Sequence, residues 1–185
     1  MINISYNYKI IDDYVELYFK DNKNNEYVSY LDLEDLDTLL NYPYKFIPRK
    51  DYSGYYLAAT VYTGLVNGKP TYHVGKLHRV IMNVTDGRKT HVDHINHNTL
   101  DNRKRNLRII SASNNLKHRN SKNKNNKSGY RNVFWSTKDE RWLVVLQIEG
   151  KSKCFGRFKK DQVDKAGALA EEMREKYYGE YKGNN

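Results

Sequence analysis

Apolar and polar positions alternate along this chain mostly with a period of two, and only a few stretches repeat at helical spacing. Two runs rich in aromatic and β-branched residues, YVELYF (14–19) and EYVSYL (26–31), flank the polar turn KDNKNN and predict a β-hairpin. In DLEDLDTLLNY, Leu33, Leu36 and Leu40 recur at helical spacing behind Asp32, a residue type suited to an N-cap, so a short helix is expected. YKFIP, YYLAATVY and PTYHV predict further strands before about residue 75. Residues 119–128, RNSKNKNNKS, hold no apolar side chain and predict a linker. Beyond it, RNVFW, RWLVVLQI and KSKCFGRF predict three strands. A helix over 161–178 follows, with Asp161 as its cap, a stripe of Val163, Ala166, Leu169 or Ala170, Met173 and Tyr177, and Gly179 as its stop. The expected class is α+β.

Composition narrows the function classes. The chain has 185 residues, 38% apolar and 29% charged, which suits one large domain or a few small modules. No apolar run approaches the roughly 18 residues that span a bilayer, so no membrane partner is expected. MINISYNYKI lacks a basic segment leading into an apolar one, and a cytoplasmic setting is expected. With Cys154 alone, an internal disulfide and a thiolate zinc cage are both excluded. The net charge of +10 is unevenly spread: residues 1–60 hold 6 Lys/Arg against 10 Asp/Glu, and residues 61–128 hold 14 against 3. All six histidines share the basic segment. A polyanion, most commonly nucleic acid, is the natural partner there, against the plainer alternative of a solvated basic face. The many tyrosines of the first 75 residues fit either base stacking or half-buried sheet positions.

The stretch THVDHINHN (90–98) concentrates the chemistry. Asp93 is a hard oxygen donor suited to Mg²⁺ or Mn²⁺, and His94 can take a proton near neutral pH. Neighbours on an extended strand point to opposite faces. Spacing alone therefore leaves a metal and acid/base site and a merely polar loop both open.

The segment LHRVIM…VDHINHNTLDNRKRNLRIISASNNLKHRN (77–120) resembles the core of HNH endonucleases of the phage and intron-homing kind, in which DH, DN, NLR and an Asn-bearing helix follow in order. The resemblance implies a ββα-metal unit holding one divalent cation, Mg²⁺ or Mn²⁺. Asp93 and Asn115 would be its ligands, with Asn114 as the neighbouring choice. His94 would be the general base, and Asn106 the residue that orients the base and ties the loop. His78, His97 and His118 are possible additions: packing behind the base, a phosphate contact, or a further ligand. Arg103, Lys104 and Arg105 would grip phosphates, and Arg108 would either do so or be structural. The family often has Gly at the place of His97.

Residues 128–181, from SGYRNVFW onward, resemble the ethylene-response or Apetala-type DNA-binding domain, a three-stranded antiparallel sheet packed on one helix. By position Arg131, Trp135, Arg141 and Trp142 match residues that contact DNA, while Gly156, Phe158, Ala166 and Ala170 match turn and core positions. For Trp142, a plain core role is an equal alternative. Asn132 stands where that family commonly has Gly. The expected organisation is a β-rich N-terminal region (1–75), an HNH nuclease core (76–120), a basic linker (121–128) and a DNA-binding domain (129–185). The implied activity is metal-dependent, site-specific hydrolysis of duplex DNA by a monomer with no small-molecule cofactor. The alternatives are a noncatalytic DNA-binding regulator with a degenerate core and an RNA-processing or structural nucleic-acid protein.

Overall fold

A computed structural model describes residues 5–21, 23–51, 54–86, 90–118 and 122–183. The start of the expected linker, 119–121, lies outside the described residues. The chain is mixed α+β and divides into two compact units, residues 1–112 and 113–185.

In the first unit, β1 (Asn7–Ile11), β2 (Tyr14–Lys20) and β3 (Glu26–Asp32) form an antiparallel sheet in that order. The period-two pattern buries Val15, Leu17, Ser29 and Leu31 completely on one face. A short helix, α1 (Leu36–Leu40), turns Leu36 and Leu39 into the same core. Asp32 does not cap it, because its carboxylate accepts the backbone N–H of Lys104 at 2.7 Å. A second antiparallel sheet holds β4 (Ile47–Asp51), β5 (Gly54–Val66) and β6 (Lys69–Lys76), and α2 (Leu77–Ile81) follows. The hairpin of β7 (Thr90–His94) and β8 (Leu107–Ser111) sets Asp93 opposite Arg108 and His94 opposite Leu107. Leu17, Leu31, Leu39, Phe46, Leu57, Leu77 and Leu107 share one core, which ties both sheets to the hairpin.

The loop between β7 and β8 is fastened along the edge of β3. Tyr30 donates its N–H to Leu100 O at 2.9 Å and accepts the N–H of Asn102 at 2.7 Å, a parallel bridge at Asp101. Ser29 Oγ donates to Leu100 O at 2.6 Å, and Thr99 Oγ1 donates to Tyr55 O at 2.6 Å. A loop that would otherwise be solvated thus has its backbone groups paired as in a fourth strand.

The second unit contains nearly all of α3 (Ala112–His118) and a sheet of β9 (Val133–Ser136), β10 (Arg141–Ile148) and β11 (Lys151–Phe158) in the order β11-β10-β9. One face is covered by α4 (Val163–Tyr178) over a core of Val133, Val144, Leu146, Ala166, Ala170 and Tyr178. Gln162 rather than Asp161 steadies the entry to α4, its Oε1 accepting Lys159 N–H at 3.1 Å. Asn126 and Ser128, expected in a linker, are part of this unit: Asn126 Oδ1 accepts from Gly129 N and its Nδ2 donates to Tyr130 O. Asn132 lies at φ +65°, in the left-handed region that glycine and, among other residues, asparagine adopt. Its amide donates to Val145 O at 3.0 Å, so the Asn serves where a glycine would fit.

Gly156 is a strand residue rather than a turn; a Cβ there would meet Leu169 Cδ2 at 2.7 Å. Gly167 on α4 has a similar reason. A Cβ there would sit 2.5 Å from the Tyr130 ring, whose hydroxyl donates to Asp164 Oδ1 at 2.8 Å. Alanine at a helix interior gains about 1 kcal/mol over glycine, but displacing a packed ring costs roughly 1–3 kcal/mol. Gly167→Ala is therefore expected to lower the thermal midpoint of this unit. A raised midpoint in a calorimetric scan would show that the ring yields freely.

Candidate functional site

His94, the last residue of β7, is 5% exposed, and the cause is local packing. The His78 ring of α2 meets it edge to face with centroids 4.8 Å apart, and Tyr56 of β5 closes another side at 5.9 Å. Tyr56 also packs on His78 at 5.5 Å and carries Lys76 Nζ 3.8 Å above its ring centre. The Asn102 side chain, 1% exposed, also reaches His94. His94 Nε2, His78 Nδ1 and Asn102 Oδ1 are buried without a well-aligned hydrogen bond among the described residues.

Burial disfavours charge on both imidazoles. It holds His94 down to about 4, against partial support for the cation from Asn102, Asp93 and Asp101. His78 goes lower, to about 2, through burial and the nearby positive groups His94, Lys76 and Arg79. His94 is therefore neutral at physiological pH and able to accept a proton.

Asp93 lies on the same strand, half-buried, and its Oδ2 accepts Arg108 Nε at 2.9 Å from the facing strand. Arg108 is thus an ion-pair partner within the hairpin. Asn106 ties the loop: its Nδ2 donates to Asp101 O at 2.8 Å and its Oδ1 accepts Asn96 N–H at 2.9 Å. No direct bond from Asn106 to His94 is present among the described residues, and it is Asn102 that reaches the imidazole. His97 adopts φ +62°, so the chain keeps at a histidine the left-handed turn that a glycine would favour. In the second unit Asn115 is half-buried on α3 and its side chain makes no hydrogen bond among the described residues, whereas Asn114 Oδ1 accepts from Lys117 Nζ at 3.1 Å. His118 is buried.

The basic run 103–105 divides by partner. Arg103 makes a two-pronged ion pair with Asp101, at 2.7 and 2.8 Å, and lies 5.5 Å from the Tyr14 ring centre and 5.2 Å from that of Tyr30. Lys104 Nζ bridges Glu34 at 2.6 Å and Asp35 at 3.0 Å. Arg103 is largely covered by the scaffold, whereas Lys104 is exposed and held by two carboxylates. Arg105 is exposed and makes no ion pair among the described residues. The acidic trio Asp32, Glu34 and Asp35 is the counter-charge of Lys104.

The C-terminal sheet also redistributes the expected contacts. Arg131 is 4% exposed, and its guanidinium donates to Lys182 O at 3.0 Å and Lys117 O at 2.9 Å, a structural role. Trp142 packs into the core beneath α4 and donates Nε1–H to Lys160 O at 3.0 Å. Trp135, its cross-strand partner, shares that face, with ring centres 5.0 Å apart. Alternation leaves Arg141, Leu143 and Gln147 on the opposite face. The register places Phe134 and Arg157 on either side of Leu143 in one row. Sequence reasoning missed Phe134, Gln147 and Arg157, as well as Tyr56, Lys76 and Asn102. The strand alternation around Trp142 was a signal for the first three, but not for the rest.

Comparisons of the chain with protein-family models, curated proteins and solved structures give no match. No described helix is long and apolar enough to cross a membrane.

The buried histidines give a stability prediction. An unfolded histidine titrates near 6.5, so the unfolded chain binds more protons than the folded one as pH falls from about 6.5 towards 4. Stability is full above that window and declines on acidification, by up to roughly 2 kcal/mol per histidine at about pH 5. Thermal melts at pH 7 and pH 5 should show this fall, with a shallower slope for His78→Gln. Equal midpoints would mean that these rings are protonated in place.

Proposed function

We propose that the chain is a metal-dependent endonuclease of the HNH kind that hydrolyses phosphodiester bonds in duplex DNA. The observation that carries this reading is His94, a neutral imidazole held in a walled pocket at the end of β7, next in sequence to Asp93. A general base must hold its lone pair at working pH and keep a fixed direction, and burial against His78 and Tyr56 supplies both. In this reading His94 takes the proton of the attacking water, and Asn106 holds the loop that leads away from it.

Of the ligands the resemblance implies, Asp93 in the first unit would offer a carboxylate and Asn115 in the second an amide oxygen, each a hard donor of the kind that suits Mg²⁺ or Mn²⁺. Such a cation supplies charge neutralisation at the phosphate and its leaving oxygen. Arg108 holds the Asp93 carboxylate in the hairpin. For target recognition, the open face of the C-terminal sheet is the proposed surface. Arg141 and Arg157 would meet phosphates or guanine edges, with Phe134, Leu143 and Gln147 on the same face. In the central basic run Arg103 and Lys104 are engaged by carboxylates, and Arg105, exposed and without an ion pair among the described residues, is the proposed phosphate contact.

A second reading, a DNA-binding regulator without cleavage, is favoured by the Asp93–Arg108 ion pair, which already neutralises the carboxylate. One experiment separates them. Purified chain is incubated with a randomised duplex pool and Mg²⁺ or Mn²⁺, and the ends are sequenced. Cleavage is expected, with loss on the order of 10²- to 10⁴-fold in His94→Ala and Asp93→Ala while DNA binding persists. Binding without cut ends in every metal would leave the regulator.

A further inference from the structure

His94 Nε2, Asn102 Oδ1 and His78 Nδ1 are each buried without an aligned partner, in a cluster where the His78 and His94 ring centres lie 4.8 Å apart and the Asn102 side chain reaches His94. Such atoms are costly inside a protein. The orientation of the Asn102 amide is fixed by its other end. Its Nδ2 donates to Ser29 Oγ at 2.9 Å and to Leu100 O at 3.2 Å. Leu100 O can only accept, and Ser29 Oγ spends its own proton on that carbonyl at 2.6 Å. A reversed amide would set Oδ1 against an acceptor with no donor between them. The carbonyl end of Asn102 must therefore be the end left over.

An acceptor facing a buried imidazole decides which ring nitrogen carries the proton. We propose that Asn102 is the positioning residue of His94: its Oδ1 accepts the Nε2 proton, which fixes the tautomer and leaves the lone pair on Nδ1. Ser29, on the N-terminal sheet, fixes Asn102 in turn. The backbone of Asn102 is pinned to the same strand by its N–H to Tyr30 O at 2.7 Å. The N-terminal sheet thereby acts on the direction of the base through Asn102. This rests on the nuclease reading for its catalytic meaning, but the tautomer itself does not.

The test uses the full chain labelled with ¹⁵N-histidine at neutral pH, with His94 assigned by loss of its signals in His94→Gln. The expected result is a proton on Nε2 that exchanges slowly with water and disappears in Asn102→Ala, while Ser29→Ala speeds its exchange. A proton on Nδ1 in the unaltered chain would overturn the proposal, with no variant needed. So would an Nε2 proton that survives Asn102→Ala in a folded chain, or one lost in His78→Phe while Asn102→Ala keeps it. On a cleavable duplex, Asn102→Ala should lower kcat by about tenfold or more with little change in KM. If the unaltered chain cuts no DNA but the tautomer result holds, the nuclease reading fails and the positioning role stands.

Discussion

Everything near His94 depends on how the 95–106 loop is held. A loop of this polarity has many backbone donors and acceptors, and leaving them unpaired beside a buried imidazole would be expensive. The edge of β3 solves this by pairing with Leu100 and Asn102 through Tyr30. Ser29 and Asp32 add a bond on each flank of that bridge, to Leu100 O and to Lys104 N. The acidic N-terminal region, with little chemistry of its own, is thus the wall against which the loop is built.

Electrostatics follow the same plan. A basic run reads as a surface for a polyanion, yet Arg103 and Lys104 are held by Asp101, Glu34 and Asp35. Arg103 also lies against two tyrosine rings, which suits the weakly hydrated guanidinium. The excess of carboxylates in residues 1–60 is partly the counter-charge of this run. In the C-terminal unit, Arg131 and Arg174 are likewise buried: Arg174 Nη1 donates to Arg131 O at 3.1 Å, and burial lowers the basicity of Arg174.

Strands and helices were largely legible in the sequence, because period-two runs such as RWLVVLQI and the stripe along α4 answer to a single local requirement, one buried face. Which side of the C-terminal sheet faces outward was not. It depends on the register of Trp135 with Trp142 and on which face α4 covers, and both are long-range facts. The DH pair and Asn106 stood out through the family resemblance, and they lie on β7 and in the loop that follows it. Asn102 did not stand out. Its meaning comes from Ser29, 73 positions away, and no local pattern announces such a partner. Lys104 hid its partners in the same way, with Glu34 70 positions upstream.

The central claim is that the β3 edge holds the loop that carries Asn102 to His94. Amide hydrogen exchange of the full chain tests it most directly. The N–H groups of Asn102 and Tyr30 should exchange as slowly as those of the buried β2 residues Val15 and Leu17. Exchange at the rate of an unprotected turn amide would show that the loop is not fastened, and the account of the site would not hold.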